Sequence, residues 1–379
     1  MRHFRLLFIL LSAFSLAGSA SALSAVRSHQ DIYIYGNKAD LSAYTVSQNN
    51  YVRARDFAKA AGCSVSYDPN TSSIFINEGQ PYDASAESRP PATAPKANAR
   101  PTLQTVYING KAANIKGYSI DGYNYFSLRD LGRELNWSVL YNSPQKRVEV
   151  DPTFPYFQKN KNTVIFMYHA FTNDPAVLAA NPDLYTSPWK LRCDIRDMRA
   201  MGYTCISLED YFNGKAEKGK KYFIITIDDG YLNNYQLAYP VLVEEKAPAS
   251  IFTIVREMER ETPTFFNAQQ AREMEASGYI KVYAHNIDHI DCTKVDAHEL
   301  SKELKRAYTS LNSMLGQKTL FFAYPYGAHN TGTYINVRNN GFRLQLVQER
   351  KFAADDVLVR KNVRYDSDMS DLVRKAYHN

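Results

Sequence analysis

The chain is poor in the features that would place it in several common classes. It has four cysteines in 379 residues, Cys63, Cys193, Cys205 and Cys292, and their spacing matches no zinc-finger pattern. Whether Cys193 and Cys205 pair or stay as free thiols is left open by the sequence. Lysine and arginine are scattered, the formal net charge is only +6, and there is no dense basic block, so the electrostatic footprint of a nucleic-acid binder is missing. Beyond the first two dozen residues no apolar run is long enough to span a bilayer, which argues against a transmembrane anchor.

The start of the chain carries a different signal. Arg2, His3 and Arg5 precede the apolar run LLFILLSAFSLA, and Ala20 and Ala22 follow in a small-x-small pattern. This pattern reads as a secretory signal peptide, residues 1–22, cut after Ala22. No cysteine follows the cut, so no lipoprotein anchor is expected. Losing Arg2 and Arg5 takes the net charge from +6 to +4. The expected location is secreted, either extracellular or associated with the cell envelope.

The next segment repeats itself. Residues 31–76 lie over residues 105–150 at a constant offset of 74 without a gap. Gly36 matches Gly110, Tyr44 matches Tyr118, and Arg55-Asp56 matches Arg129-Asp130. Each copy reads as a strand, a hairpin, a short helix from the Arg-Asp pair, then a strand pair around Tyr67 or Tyr141. The copies resemble the copper amine oxidase N-terminal-type repeat of exported bacterial proteins. They share no histidine or cysteine, so no metal site is read in them; binding to the cell envelope is the role considered. The boundaries expected are repeat 1 over 28–80, a flexible linker over 81–101 rich in proline, alanine and serine, and repeat 2 over 102–153.

From Thr163 the pattern changes. Strand-like runs such as TVIFMYH, YFIITI, ASIFTIV, IKVYAH and TLFFAYPYG alternate with amphipathic stretches such as WKLRCDIRDMRAMG and AHELSKELKRAYTSLNSMLG. Strands alternating with helices predict an α/β barrel or a doubly wound sheet over 160–379. Three of the strands end in polar clusters: Asp228-Asp229-Gly230, His285 with His289, and Tyr324-Pro325-Tyr326-Gly327. Taken singly, adjacent acids read as a solvated turn or helix cap, and YPYG as a turn. Active sites of parallel α/β folds gather at the carboxyl ends of strands, so the three clusters should converge. Together they supply what zinc chemistry needs: two imidazoles, a carboxylate ligand, an open position for water, and a second carboxylate that is not a ligand.

These motifs resemble those of the polysaccharide deacetylases of carbohydrate esterase family 4, in the branch that contains poly-N-acetylglucosamine deacetylases. Thr226-Ile227-Asp228-Asp229-Gly230 corresponds to T-F-D-D-G, His285-Asn286-Ile287-Asp288-His289 to H-[ST]-x-x-H, and Ala323-Tyr324-Pro325-Tyr326-Gly327 to R-x-P-[FYW]-G. The resemblance implies a distorted (β/α) barrel with fewer than eight repeats, preceded here by the two small α+β repeat modules. It implies a divalent metal, zinc or another transition metal, on Asp229, His285 and His289. Asp228 becomes the base, and the Tyr326 backbone N–H an oxyanion donor. Ala323 stands where the family has arginine, and Arg360 in VLVRKNV is the expected substitute. The family's late L-x-H motif has no good copy; His378 sits at the extreme C-terminus, and His169, at a strand's carboxyl end, is the candidate acid. The implied partner is an acetylated amino-sugar polymer (peptidoglycan, poly-N-acetylglucosamine or chitin-like). Two alternatives remain at this stage, an O-acetyl sugar esterase of the same family and a non-catalytic carbohydrate- or envelope-binding protein.

Overall fold

The computed structural model describes residues 22–86, 94–142, 145–154, 156–348, 354 and 356–378. The expected signal peptide lies outside the described residues, save for Ala22. The chain divides into two compact units, one of residues up to 29 together with 39–135, the other of residues 30–38 together with 136–379. Among the described residues no helix is long and apolar enough to cross a membrane.

The first unit is built on the duplication. Three strands from each copy close a six-stranded antiparallel barrel: Leu23–Arg27, Ala43–Val46 and Asn49–Arg53 from the first, Lys96–Pro101, Gly117–Ile120 and Tyr123–Ser127 from the second. The registers repeat at the sequence offset, Val26 opposite Thr45 and Arg100 opposite Ser119. The repeated acids explain themselves: Asp56 accepts the backbone N–H of Ser42, and Asp130 that of Lys116, each pinning its helix to the preceding loop.

Two sequence expectations change here. The stretch 81–101 is not all linker, because Lys96–Pro101 is a barrel strand. Its sequence has weak strand character, but it pairs on both edges, with Leu23–Arg27 and Gly117–Ile120, and those neighbours override local propensity. Nor are the copies two self-contained modules. The strand Ser73–Asn77 of the first copy pairs in parallel with Thr105–Ile108 of the second, Ile74 opposite Val106. In the other unit the strand Arg147–Asp151 pairs in parallel with Asp31–Ile34, Val148 opposite Ile32. Each copy's last strand thus takes its partner from the start of the other copy.

The second unit holds the parallel barrel. Thr163–Tyr168, Tyr222–Asp229, Ala249–Thr253, Ile280–Ala284, Phe321–Ala323, Leu344–Gln348 and Val357–Asn362 pair in that order, and the last pairs with the first, Phe166 opposite Lys361. Alternation along a strand sends Val164, Phe166 and Tyr168 to the core under the helices and Ile165 to the other face. Helix boundaries follow local signals. Ser187 caps Pro188–Ala200, with Pro188 at the first helical position. Asp296 caps Ala297–Leu315, which ends at left-handed Gly316 and buries Leu300, Leu304, Ala307 and Leu311 along one stripe. The sheet of residues 138–151 and 31–38 is tied to this barrel by the Arg338–Glu149 ion pair and by Arg343 over the Phe154 ring, so the expected domain start at 160 falls inside the unit rather than at its edge. The four cysteines are free thiols.

Candidate metal-dependent active site

The strand Tyr222–Asp229 is buried along its whole length. Its two-residue period places Ile224, Thr226 and Asp228 on one face. Arg360, fully buried on the last strand, reaches that face. Its Nη1 donates to Asp228 Oδ1 at 2.6 Å and its Nη2 to Asp228 Oδ2 at 2.7 Å, with Thr226 Oγ1 at 3.3 Å from Nη1. Both oxygens of Asp228 are therefore occupied by a fork-shaped donor, the strongest geometry for a guanidinium–carboxylate pair. Burial alone would raise the Asp228 pKa, but Arg360 first and His285 next hold it below the ordinary carboxylate range.

Asp229 behaves differently because the strand ends on it. Its φ is +71°, followed by Gly230 at +84°. The left-handed turn swings its carboxylate away from Arg360 and towards the histidines. Asp229 Oδ1 lies 3.6 Å from His285 Nε2 and 3.4 Å from His289 Nε2. Burial pushes its pKa up, yet the hydrogen bond with His289 and the nearby His285 and His169 bring it down to about 2. Adjacent acids can thus end a buried strand with different principal partners, although Asp228 Oδ2 also lies 3.8 Å from His285 Nε2. One is neutralised by arginine, and the other is aimed at two imidazoles.

The ligand atoms of Asp229, His285 and His289 all lie within 4.8 Å of one another. Donors about 2.1 Å from a tetrahedral zinc sit roughly 3.4 Å apart, so this trio fits a divalent cation. The histidine tautomer fits as well. His285 Nδ1 is 2.8 Å from the carbonyl oxygen of Ala323, which can only accept, so Nδ1 carries the hydrogen and Nε2 keeps its lone pair. Burial lowers the His285 pKa and so favours the neutral imidazole that a metal needs. Ala323 has no side chain to match the arginine of the motif that the sequence resembles, but its backbone carbonyl orients the His285 ring.

Left-handed backbone recurs around this trio. Asp229, Asn286, His289 and Tyr326 all have positive φ, between +54° and +71°. Each such residue costs on the order of 1–3 kcal/mol, and such outliers gather where a site imposes them. Asn286 suits its position: asparagine tolerates the left-handed region, and its side chain accepts the backbone N–H of Ile287 at 2.8 Å. The Tyr326 ring is 68% exposed and meets the His289 ring edge-on at 4.7 Å.

Gly230 is required twice over. Besides its φ of +84°, a Cβ there would stand 2.3 Å from Thr253 Oγ1 and 2.8 Å from Thr253 Cβ. Overpacking costs about 1–3 kcal/mol, and the left-handed backbone about 1–2 kcal/mol more. Gly230→Ala is therefore expected to lower the urea midpoint of unfolding by the equivalent of about 2–5 kcal/mol; an unchanged midpoint contradicts the packing described here.

The structure brings Asp228, Asp229, His285, His289 and Arg360 into direct contact, and Tyr326 against His289. His169 lies near enough to lower the pKa of both aspartates, and its Nδ1 is buried with no hydrogen-bond partner among the described residues. Two residues within the same short stretch as the aspartates escaped the sequence reading. Asn234 Nδ2 donates to the carbonyl oxygen of His169 at 2.7 Å, and Asn233 Oδ1 accepts the Phe171 N–H at 3.0 Å. They fix the segment that carries His169. Asn234 opens a π-helical turn, Asn234–Ala238, a feature frequent at functional sites. Tyr231, whose pKa is raised first by burial and then by the nearby Asp229 carboxylate, and whose ring stacks on Phe265 at 5.1 Å, was also missed. A paired Asn-Asn four residues past a strand-end acid was the available signal.

Residues 215–344 match the family model described as polysaccharide deacetylase. The putative polysaccharide deacetylase YxkH of Bacillus subtilis (strain 168) is 29% identical over 160 residues, which is 42% of this chain and 56% of that protein. The chain thus spans just over half the length of this curated relative. Among solved structures, the Streptococcus pyogenes deacetylase PplD, determined in complex with acetate, aligns with a TM-score of 0.51 at 23% identity, over 56% of this chain and 97% of its own. A de-N-acetylase from Aggregatibacter actinomycetemcomitans aligns with a TM-score of 0.51 at 19% identity, over 56% and 99%. Both share the fold of the parallel barrel.

Proposed function

We propose that this chain, which carries a polysaccharide deacetylase domain, is an exported, metal-dependent N-deacetylase acting on a polymer that contains N-acetylglucosamine. The observation that carries the reading is the division of labour between the two aspartates: Asp229 faces His285 and His289, while both oxygens of Asp228 are held by Arg360. A binding protein has no use for a metal trio beside a buried carboxylate that is not part of it.

A divalent cation on Asp229, His285 and His289 would polarise the acetamide carbonyl and acidify a water. Asp228 accepts a proton from the water that attacks the carbonyl carbon. Arg360 keeps Asp228 ionised and fixed in direction, the part played in the family by the arginine that Ala323 replaces. The Tyr326 backbone N–H supports the developing oxyanion. His169 gives a proton to the departing amine. The C–N bond breaks, and the products are acetate and a free amino sugar. A polymer so treated gains positive charge. The apolar N-terminal run with its small-residue site supports export, and the duplicated unit supports a role in holding the enzyme at its polymer.

The test is acetate release by purified protein from poly-N-acetylglucosamine, peptidoglycan and chitin oligomers, with acetylated xylan alongside. Release from at least one N-acetylated polymer, several-fold above that from xylan, is expected. Release from xylan alone would replace this reading with O-acetyl esterase activity.

A further inference from the structure

One short segment holds both arms of the metal trio. The strand Ala249–Thr253 lies between the strand that ends in Asp229 and the strand that leads to His285, with Thr253 opposite Asp229 on one edge and Ala284 on the other. Where it leaves the sheet, its backbone takes hold of both neighbours. The Ile254 N–H donates to the Asp229 carbonyl oxygen at 3.0 Å, the Val255 N–H to that of Asn286 at 3.1 Å, and the Arg256 N–H to that of Ile287 at 3.0 Å. The Thr253 carbonyl oxygen accepts the His285 N–H at 2.8 Å.

The two histidines are not held alike. His285 is buried, and its ring is fixed through Nδ1 on the Ala323 carbonyl oxygen. The His289 side chain is 25% exposed and sits on left-handed backbone, φ +54°. Its ring meets Asp229 and the exposed Tyr326 ring, and among the described residues no backbone carbonyl orients it. Its place therefore depends on the residues that lead to it. Asn286 Nδ2 donates to the buried Cys292 Sγ at 3.7 Å. Next to His289 itself, Asp288 accepts from Arg256 through both carboxylate oxygens, one from Nε and one from Nη2.

Ion pairs at a surface contribute little as a rule, but a fork on two oxygens fixes direction as well as distance. This pair is also partly covered, with 19% of the arginine side chain and 33% of the aspartate side chain exposed. Neither residue has a step in the hydrolysis described above. Arg256 faces one further carboxylate, Glu303 on the helix Ala297–Leu315, whose pKa burial raises and Arg256 draws back down. Glu303 lies on a different element from the metal loop and supplies a control.

We propose that Arg256 is a positioning residue for the metal centre: its fork on Asp288 sets the place of His289 and thereby the affinity of the trio for a divalent cation. The inference rests on the metal-dependent reading proposed above. Loss of a group that orients a metal ligand typically costs about 10–100-fold in metal affinity.

The test is zinc affinity of the full-length protein, measured by competition with a chromophoric chelator, beside the urea midpoint of each metal-free protein. Arg256→Ala and Asp288→Ala should each weaken zinc binding at least ten-fold. The double variant should be no weaker than the worse single one, because both changes break the same contact. Arg256→Lys, which keeps the charge without the fork, should recover only part of the loss. Glu303→Gln should bind zinc as the wild type does. Unchanged zinc affinity in the single variants, additive losses in the double variant, full recovery in Arg256→Lys, or an equal loss in Glu303→Gln would overturn the role of Arg256. A lowered urea midpoint with unchanged zinc affinity would make the pair a structural contact only and would also overturn it. Wild-type protein that binds no zinc would reject the metal-dependent reading itself.

Discussion

Asp228→Asn should leave metal content at the wild-type level and lower kcat by about 10²–10⁴, the usual contribution of a positioned general base. The asparagine keeps the shape of the side chain, and its carbonyl oxygen can still accept from one Arg360 nitrogen. Its amide faces the other and leaves the buried guanidinium without a counter-charge, at a cost of about 3–5 kcal/mol of stability, and the side chain cannot take a proton from water. Substrate affinity should change little. Asp229→Asn should behave otherwise, losing metal and activity together, because Asp229 Oδ1 is the oxygen that faces both histidines. The check is metal content and acetate release measured on both proteins. Equal loss of metal in the two would mean that the roles are misassigned, and full activity in Asp228→Asn would remove the mechanism.

Arg360→Met should be strongly destabilising, as should Asp228→Asn, which strands the opposite charge. Arg360 and Asp228 are both buried, and removing one member of such a pair leaves an uncompensated charge, at a cost of about 3–5 kcal/mol. The urea midpoint of the metal-free protein is the measurement. The penalty should be smaller in Asp228→Asn/Arg360→Met, where no charge is stranded; additive losses would show that the two side chains are not coupled. The pH dependence follows from the sign of the shift. The folded pKa of Asp228 is depressed, so the pair stabilises the protein above the unfolded carboxylate value and loses that contribution as pH falls through the folded value. With Arg360 gone, burial raises the carboxyl pKa, and the acidic limb of the activity profile should move to higher pH.

Much of the site was legible because its signals are local. His285 and His289 are four residues apart, Asp228 and Asp229 are adjacent, and each cluster follows an apolar strand in a βα pattern that directs strand ends to one face. Arg360 could be suspected from the missing arginine at 323, although nothing near residue 360 says that its side chain crosses to Asp228; that contact depends on closure of the last strand against the first. What was not legible is pairing. Lys96–Pro101 carries no strand periodicity and is ordered by neighbours on both edges. The exchange between the copies, Ile74 with Val106 and Ile32 with Val148, is invisible to a period count, since either copy's strand satisfies the same hydrophobic pattern. Asn233 and Asn234 look like turn residues until the backbone groups of His169 and Phe171 stand beside them.

Metal dependence is the claim on which the rest stands, and acetate release from poly-N-acetylglucosamine oligomers before and after chelation measures it. Wild-type protein should release acetate, lose that activity on stripping and regain it on addition of one equivalent of zinc or another divalent transition metal, whereas His285→Ala/His289→Ala protein should neither retain the metal nor recover activity. Release that survives complete removal of metal, or stoichiometric metal in the double variant, would contradict the account.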